Sequence, residues 1–460
     1  MDNEAVRKGW LQPERLNTLL ESERQRFIEL HPGSAVLGRR AKMCMPDGVP
    51  MHWMRDWGTP FPLFVRDASG ARFRDVDGLE YCDFCFGDTG AMFGHSPVPL
   101  VNALQRQAGQ GITTMLPGTD AIAVAEHLAA RFRLPFWQFT TTATDANRAA
   151  LRWARAITGR SDILVFNGCY HGTVDETMVR LVDGRTVVRP GQIGAGFDLA
   201  AHTRVVEFND RQALSRALAD GGVAAVLAEP VMTNCGMVLP EPGFLEFLRE
   251  QTKLHGSLLI LDETHCISSG WGGYSGEHGL APDMLTLGKP IAGGLPAATY
   301  GFSTAVREAM LKVRSETALG HSGMGTTLSA NMLSLRLMRV MLEQVMTREA
   351  YGYMVPLAEK LAGELQALFA RHRLPWSVAQ VGSRVEFILA PRVPRNGREA
   401  EALEDDAGLG ALLHLYLLNR GVLVTPFHHM CLVCPETTEA DVARLVSVLD
   451  DALTTLGELA

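Results

Sequence analysis

The sequence is poor in lysine, which holds six of the 43 basic positions and leaves the other 37 to arginine. Chemistry that needs an amine nucleophile can use only these six side chains: Lys8, Lys42, Lys253, Lys289, Lys312 and Lys360. Basic residues are also outnumbered, because 51 Asp and Glu give the 460-residue chain a net charge of −8. This charge balance argues against a broad nucleic-acid-binding surface.

Long hydrophobic runs are absent as well. No segment reaches the roughly 18 to 20 uncharged residues that a membrane-spanning helix needs, and residues 1–29 lack the apolar core of a signal peptide. Eight cysteines are too few for a disulfide scaffold in a chain of this length. We therefore expect a cytoplasmic protein with reduced thiols that binds neither membranes nor nucleic acids.

Two Cys-x-x-Cys pairs, Cys82/Cys85 and Cys431/Cys434, could indicate a zinc site, with two histidines following Phe427. The first pair lies on a predicted strand, 81–86, where residues three apart face opposite sides of the sheet. Zinc-binding pairs lie on tight turns instead. We expect packed thiols and no metal.

The pattern of apolar segments predicts four parts. Residues 1–45 form a polar, partly helical arm, and residues 46–115 form a lead-in with short antiparallel strands. In residues 116–335, helical stretches alternate with apolar strands, which predicts an α/β domain with a mostly parallel central sheet and helices on both faces. Residues 336–460 form a smaller α/β terminal domain, in which Val378–Leu389 is predicted as one strand. The strands predicted for the central sheet are Trp137–Thr141, Ile163–Phe166, Arg204–Phe208, Val223–Ala228, Ser257–Leu261 and Met284–Leu287.

Ligands bind at the carboxyl ends of the strands in such a sheet. The last of these strands runs into Gly288-Lys289-Pro290, and a buried lysine almost always has a partner. A partly buried lysine can form a Schiff base with a carbonyl group. Asp262 directly follows the preceding strand and would face a cation or a protonated ring nitrogen, with a structural ion pair as the alternative. Glu229 also ends a buried strand and needs a hydrogen-bond donor.

Two further strand ends carry polar or aromatic residues. Thr142, Ala143 and Thr144 precede a helix predicted from Asp145, with Thr144 as its N-cap, and a helix start of this kind can bind a phosphate. Tyr170 follows another strand and can stack on a flat ligand. An anion site, an aromatic ring, a buried aspartate and a lysine on one sheet edge match the phosphate, ring, pyridine nitrogen and aldehyde of pyridoxal 5′-phosphate, PLP.

A dinucleotide site is the competing interpretation, because Gly270, Gly272 and Gly276 follow a predicted strand. A Rossmann fingerprint must open a helix at once. Residues 274–282 do not have a helical pattern, so we expect no dinucleotide site.

The chain resembles the class III aminotransferases, which are PLP-dependent enzymes of transferase fold type I, the aspartate aminotransferase-like fold. Within that family it is most similar to the glutamate-1-semialdehyde aminomutase-like branch. The similarity runs from about Pro46 to Leu449. The segments that carry it are DVDG (75–78), GHSP (94–97), TTATDAN (141–147), CYHG (169–172), EPVMTNCG (229–236), LDET (261–264), TLGKPIAGG (286–294) and TTLSAN (326–331).

The resemblance implies roles for individual residues. Lys289 would hold PLP as a Schiff base and move a proton between substrate and cofactor, and Asp262 would pair with the pyridine nitrogen. Tyr170 would stack on one ring face and Thr264 would lie near the other. Thr327 would reach the phosphate of a neighbouring subunit, which implies a homodimer with shared active sites. The implied cofactor-binding set is Thr142, Ala143, Thr144, Tyr170, Glu229, Asn234, Asp262, Thr264, Lys289 and Thr327.

The chain departs from the branch on the substrate side. Asp88 lies in a segment where the branch usually has an aromatic residue, and His428 lies where it has an acidic-aromatic stretch. Arg55 lies within about one residue of the branch's carboxylate-binding arginine, and a guanidinium pairs bidentately with a carboxylate. We predict these three as substrate-binding residues.

These departures favour an aminotransferase that moves an amino group between an amino acid or amine and a keto acid. Aromatic and methionine residues near the predicted site suggest a bulky donor, such as an aromatic, β- or D-amino acid: Trp53, Trp57, Phe86, Met92 and Phe427. The alternative is an aminomutase, racemase or epimerase that acts on a single amino-acid substrate. Both use Lys289 and Asp262, so the motifs do not separate them.

Overall fold

The computed structural model describes residues 13–403 and 407–458. They belong to two compact units, each discontinuous in sequence. Unit 1 takes in Met1–Pro97, Gly352–Val393 and Leu403–Ala460 as far as they are described, and unit 2 is Val98–Tyr351 with Pro394–Ala402. The domain boundaries predicted at 45, 115 and 335 stay predictions.

The strands and helices alternate through most of the chain. The strands are β1 (Val65–Ser69), β2 (Arg72–Asp75), β3 (Glu80–Asp83), β4 (Phe136–Thr140), β5 (Asp162–Phe166), β6 (Val179–Val182), β7 (Arg185–Val188), β8 (Thr203–Val206), β9 (Val223–Ala228), β10 (Leu258–Asp262), β11 (Met284–Leu287), β12 (Ala298–Phe302), β13 (Ser377–Val381), β14 (Arg384–Ile388), β15 (Val422–Leu423) and β16 (Met430–Leu432). The α-helices are α1 (Pro13–Leu30), α2 (Pro32–Ala41), α3 (Val98–Ala108), α4 (Asp120–Phe132), α5 (Ala143–Thr158), α6 (Arg211–Leu218), α7 (Phe244–His255), α8 (Gly273–Glu277), α9 (Thr304–Glu316), α10 (Met332–Val340), α11 (Arg348–Arg371), α12 (Gly397–Glu401), α13 (Ala407–Leu418) and α14 (Glu439–Glu458).

Unit 2 contains a seven-stranded sheet in the order β4-β12-β11-β10-β9-β5-β8. Strand β12 runs antiparallel to both of its neighbours, and the remaining pairs are parallel. The central strand β9 is apolar and buried along its whole length, as expected for a parallel strand covered on both faces. The predicted mostly parallel sheet is confirmed, and each of the six predicted strands lies within two residues of an observed one.

Helix α5 shows why this unit has helices packed on its sheet. The buried face of α5 includes Asn147, Ala150, Leu151 and Ala154. Their spacing of three or four residues from one turn to the next places all four on one side of the helix. The helix contacts β9, β11 and β12. It ends at Gly159, whose left-handed φ of 69° is the usual glycine stop signal.

Unit 1 contains a four-stranded sheet, β1-β2-β3-β15, and a three-stranded sheet, β13-β14-β16. The segment 378–389, predicted as one strand, is instead a hairpin of β13 and β14. The chain reverses at Gly382, which has a φ of 58°; this left-handed conformation suits glycine. Helices α1 and α2 account for the helical part of the predicted arm, and residues 1–12 of that arm lie outside the described residues.

The segment predicted to be non-helical after Gly272 contains the short helix α8. The cause is Glu263, whose buried carboxylate accepts hydrogen bonds from the amides of Tyr274 (3.0 Å) and Ser275 (2.6 Å) in the first turn. Satisfying these amides stabilises a helix start that the glycine-rich sequence does not suggest. Within residues 13–403 and 407–458, no helix is both long and apolar enough to cross a membrane.

Candidate active site

The carboxyl ends of β9, β10 and β11 form the candidate active site in unit 2. These three strands are neighbours and parallel, so the residues that follow them lie on one edge of the sheet. Glu229 follows β9, Asp262 ends β10, and Lys289 follows β11 after Gly288. The structure therefore brings together at this edge the three charged residues that the sequence placed at strand ends.

Asp262 is buried within a set of hydrogen-bond donors. Its Oδ2 accepts from Asn147 Nδ2 at 2.9 Å and lies 3.0 Å from His171 Nδ1, while Oδ1 accepts from the amide of Thr264 at 3.1 Å. Burial opposes ionisation, but the hydrogen bonds from these three residues outweigh it and lower the pKa of Asp262 to about 2. The carboxylate is charged at neutral pH and can pair with a cation.

His171 and Asn147 hold this carboxylate in turn. Burial acts against a charged His171, but the hydrogen bond to Asp262 is stronger and raises the pKa of the imidazole to about 10. Asn147 also accepts a hydrogen bond from Thr286 Oγ1 at 2.7 Å on β11, which fixes its amide. These partners orient the Asp262 carboxylate and keep it ionised.

Lys289 begins a single turn of 3-10 helix, Lys289–Ala292, at the end of β11. Its backbone φ is 47°, in the left-handed region that non-glycine residues rarely occupy. Such a conformation costs of order 1 to 3 kcal/mol and is concentrated at functional sites. The side chain is half-buried, and its Nζ atom is in hydrogen-bond contact with Nε2 of His265.

The N-terminus of α5 forms a candidate anion site beside Lys289. Thr142, and not Thr144, is the N-cap: its Oγ1 accepts from the Asp145 amide at 3.2 Å. The prediction of Thr144 as the cap was wrong, because the helix starts at Ala143 and Thr144 Oγ1 instead accepts from the amide of Thr173 at 3.1 Å. The cap leaves the amides of Ala143 and Thr144 at the start of the helix, where an anion is bound most readily.

Glycine is required next to this helix start. A Cβ atom at Gly288 would lie 2.9 Å from the Cβ atom of Ala143, well inside ordinary van der Waals contact. The absent side chain thus allows the backbone before Lys289 to approach the first turn of α5 closely.

The fit of this edge to PLP can be tested on the residues present. Several buried polar atoms in the described part of the chain have no hydrogen-bond partner, and three of them belong to this edge: Thr264 Oγ1, Glu229 Oε1 and His171 Nε2. Buried polar atoms normally have partners, so these are consistent with a bound polar group. An ionised aspartate, a lysine amine and a helix N-terminus on the same edge match the pyridine nitrogen, aldehyde and phosphate of PLP.

The remaining predicted cofactor residues also belong to unit 2. Tyr170 lies in the loop after β5 with 41 % of its surface exposed, and Asn234 is half-buried in the loop after β9. Thr327 is exposed in the loop between α9 and α10. Its neighbour Thr326 lies 3.3 Å from Thr141, hydroxyl to hydroxyl. That segment therefore returns to the start of α5 in the same chain.

The predicted substrate residues lie in unit 1. Arg55 is 56 % exposed, and its guanidinium lies 3.2 Å from Asp56 and 3.3 Å from Asp47. His428 is half-buried, with Nδ1 3.2 Å from Oε2 of Glu386. Burial lowers the pKa of His428, but the charge and hydrogen bond of Glu386 outweigh this, and the net shift is upward.

The other residues predicted on the substrate side also lie in unit 1. Asp88 has a left-handed φ of 49° and is half-buried. Of the aromatic and methionine residues predicted near the substrate, Phe86 and Met92 are fully buried in the core. Trp57 and Phe427 contact each other edge to face, with centroids 6.3 Å apart. The described environments of Phe86 and Met92 leave no exposed surface for a substrate.

The sequence analysis did not identify His171 and Asn147, which hold Asp262, or His265, which contacts Lys289. Asn147 could have been identified from the sequence, because it is a polar residue on the otherwise apolar face of α5. His171 belongs to the motif CYHG (169–172), but the spacing of residues in the sequence does not show which side chain it will contact on another strand. His265 was hidden because it lies three residues beyond Asp262, in an irregular segment.

Comparison with known proteins gives a consistent result. The family model described as "Aminotransferase class-III" matches residues 53–453. A glutamate-1-semialdehyde 2,1-aminomutase of Syntrophomonas wolfei is 33 % identical over 431 residues, covering 91 % of this chain and 97 % of the relative. The structure of a glutamate-1-semialdehyde aminomutase from Pseudomonas aeruginosa PAO1 is 48 % identical, with a TM-score of 0.95, and covers 97 % of this chain and 100 % of that chain.

Two additional structures bear on the cofactor and the reaction. A variant of the same Pseudomonas protein was solved in complex with PMP, with a TM-score of 0.94 and 48 % identity over 97 % of this chain and 100 % of that one. A β-phenylalanine aminotransferase from Variovorax paradoxus has a TM-score of 0.85 but only 28 % identity, covering 96 % of this chain and 99 % of that chain. The predicted fold type I architecture is thus confirmed.

Proposed function

The chain belongs to the class III aminotransferase family, whose cofactor is PLP, and on that premise we propose that it is an aminomutase that moves an amino group within a single substrate. The observation that carries this proposal is the similarity at 48 % identity, across 97 % of the chain, to a glutamate-1-semialdehyde aminomutase. The aminotransferase that the sequence favoured has weaker support, because the transaminase structure compared is 28 % identical.

The proposed substrate is glutamate-1-semialdehyde, whose amino group would move from C2 to C1. When bound, PLP supplies an aldehyde that reacts with amines and a pyridine ring that accepts electron density. Lys289 would bind the aldehyde carbon through Nζ and carry the proton that moves between substrate carbon and cofactor. Asp262, held ionised by His171 and Asn147, would keep a negative charge at the ring nitrogen.

The other predicted cofactor residues would orient the group. The first turn of α5, with Thr142, Ala143 and Thr144, would bind the phosphate, and Tyr170 and Thr264 would lie against the ring. Glu229 and Asn234 would lie near the ring oxygen. These assignments are supported by the shared sheet edge, the helix N-terminus and the buried polar atoms without partners.

The test is a turnover assay that withholds every keto acid. The PLP-loaded enzyme is given glutamate-1-semialdehyde alone, and the product is identified by mass spectrometry and NMR. Formation of the isomer with the amino group at C1, at a rate independent of added pyruvate or 2-oxoglutarate, supports the aminomutase. Lys289→Ala is the control and should form no product.

An aminotransferase is the second candidate, favoured by the similarity to the Variovorax β-phenylalanine aminotransferase. It would take an amino donor, including aromatic, β- or D-amino acids, and a keto-acid acceptor. Arg55, Asp88 and His428 would then select the donor. Turnover that requires both a donor and a keto acid, with none on the semialdehyde alone, would replace the first proposal by this one.

We also propose a homodimer in which Thr327 contributes to the partner subunit's site. The segment that carries Thr327 is exposed, and it and the loop before α4 include large apolar side chains that are more than half exposed: Met115, Leu116, Leu319 and Leu328. Apolar side chains grouped on a surface are typical of a contact with another protein. Light scattering coupled to gel filtration should give twice the chain mass of 50.2 kDa, and a monomer at micromolar concentration would contradict the dimer.

A further inference from the structure

A buried histidine, His265, lies against the amine of Lys289. It comes three residues after Asp262 at the end of β10, and its side chain is almost fully buried. Its Nε2 atom is the atom in hydrogen-bond contact with Lys289 Nζ. The imidazole therefore touches the lysine that the sheet edge places beside the candidate anion site.

The other ring nitrogen of His265 connects to a carboxylate. His265 Nδ1 lies 2.6 Å from Thr233 Oγ1, and the Thr233 hydroxyl donates to Oε2 of Glu229 at 2.7 Å. A hydroxyl group has a single proton to donate. Because Thr233 gives its proton to Glu229, its oxygen must accept from the N–H at Nδ1 of His265. This places the lone pair of neutral His265 on Nε2, facing Lys289.

We propose that His265 is a general base for Lys289 and is held in the required tautomer by Thr233 and Glu229. The proposal rests on the assignment of Lys289 as the amine that binds PLP. In the step, a proton leaves Nζ of the Lys289 ammonium group and binds Nε2 of His265. The electron pair of the broken N–H bond stays on Nζ, where it can attack a carbonyl carbon, and the imidazolium keeps its Nδ1–H bond to Thr233.

The surrounding charges favour this transfer. Glu229 Oε2 lies 4.0 Å from His265 Nδ1, and its negative charge stabilises an imidazolium at that distance. Asp262 and His171 carry opposite charges next to each other, so their effects on His265 offset one another. The carboxylate of Glu263 is bonded to the amides of α8. Glu229 is thus the carboxylate that is connected to the imidazole, through hydrogen bonds by way of the Thr233 hydroxyl.

The pH dependence follows from Glu229. Burial raises the pKa of Glu229 to about 7, against hydrogen bonds from Thr233 that lower it. A raised pKa means that the carboxylate becomes protonated as the pH falls through about 7. The stabilisation of the imidazolium by Glu229 is therefore nearly complete at pH 8 and mostly lost at pH 6.

The test measures how fast PLP becomes covalently attached to the cofactor-free protein. Samples are reduced with borohydride at timed intervals, and the modified fraction is read by mass spectrometry. His265→Ala should load about 10²-fold more slowly, the usual effect of losing a general base. Imidazole added to the buffer should restore part of the rate, because a small base can occupy the vacated space.

Two comparisons make the result decisive. His202→Gln replaces a histidine that is 61 % exposed in the same unit and should load at the wild-type rate, with or without imidazole. A His265→Ala variant that loads at the wild-type rate, or slowly with no response to imidazole, would overturn the proposal. If Lys289→Ala still becomes covalently modified to the wild-type extent, the lysine assignment and the proposed function fail instead.

Thr233→Val is the second variant and keeps His265 against Lys289. It removes the hydroxyl that donates to Glu229 and accepts from His265 Nδ1. The loss of the hydrogen bond to the imidazole should slow loading at pH 8 by about fivefold. Because Glu229 is then disconnected, the loss of rate between pH 8 and pH 6 should also shrink, with no rescue by imidazole. Wild-type rates at every pH for this variant would exclude the relay.

Discussion

Gly288→Ala tests the close approach of the backbone before Lys289 to the candidate phosphate site. The added Cβ atom would lie 2.9 Å from the Ala143 Cβ atom and 3.4 Å from the Ala143 nitrogen. Carbon atoms in contact normally lie about 3.5 to 4.0 Å apart. Either the first turn of α5 or the segment that carries Lys289 must therefore move by about half an ångström or more.

The free-energy cost of Gly288→Ala should differ between the PLP-free and the PLP-bound protein. Overpacking of this kind typically costs about 1 to 3 kcal/mol. Without PLP, the first turn of α5 can shift away and relieve much of the contact. With PLP bound, the phosphate and Lys289 would hold both segments in place, so the strain acts mainly on the loaded state. Each 1.4 kcal/mol is a factor of ten in affinity, which predicts a Kd for PLP about 10- to 100-fold weaker.

The assay is a titration of the cofactor-free protein with PLP, followed by absorbance, beside urea unfolding of the same protein. The matched control is Gly363→Ala in the middle of α11, where an added Cβ meets nothing within 4 Å. It should leave the Kd unchanged and stabilise the helix by up to about 1 kcal/mol. A Gly288→Ala variant with wild-type affinity, whatever its stability, would refute the close-approach argument.

Three other substitutions test the predicted roles of single residues. Lys289→Ala should bind PLP reversibly but leave no cofactor attached after borohydride reduction; attachment at the wild-type level would exclude Lys289. Asp262→Asn should keep PLP bound but lower kcat by at least about 10²-fold, and a near-normal kcat would contradict its role. Because the pKa of Asp262 falls from 3.8 to about 2 on folding, its stabilisation of about 2 kcal/mol is present above pH 4 and fades towards pH 2. In urea unfolding the asparagine variant should lose that acid dependence, and an unchanged pH profile would contradict the shift. Arg55→Ala should raise KM for carboxylate substrates with little change in kcat, and equal effects on simple amines would argue against a carboxylate contact.

The sheet edge was predictable because its signals are local. A run of apolar residues followed by Asp262, or by Gly288 and Lys289, is visible within a few residues, and parallel strands place such ends together. The antiparallel strand β12 was not predicted, because nothing in the apolar segment Ala298–Phe302 shows the direction in which a strand will pair. The hairpin of β13 and β14 was missed for a similar reason: one glycine reverses an otherwise continuous strand pattern.

The residues that hold the Asp262 carboxylate in place were much harder to predict. Asn147 and His171 reach Asp262 from 115 and 91 residues away in sequence, and no spacing rule encodes such a contact. Thr142 and Thr144 are both residues that cap helices well, so the sequence does not show which of them caps α5. That depends on where the backbone turns. The preference for an aminotransferase came from substrate-side departures, whereas similarity along the whole chain favours the aminomutase.

The pairing of β3 with β15 has a consequence for synthesis of the chain. Cys82 and Val422 are partners in adjacent parallel strands, yet they are 340 residues apart in sequence. At about 5 to 20 residues per second, the ribosome needs roughly 20 to 70 s to deliver β15 after β3 has emerged. During that time the β1-β2-β3 meander has an open edge, which other chains can pair with. The strands of the unit 2 sheet, 136–302, emerge within this interval, so the cofactor-binding unit can assemble its sheet before the first three strands of the chain acquire their last partner.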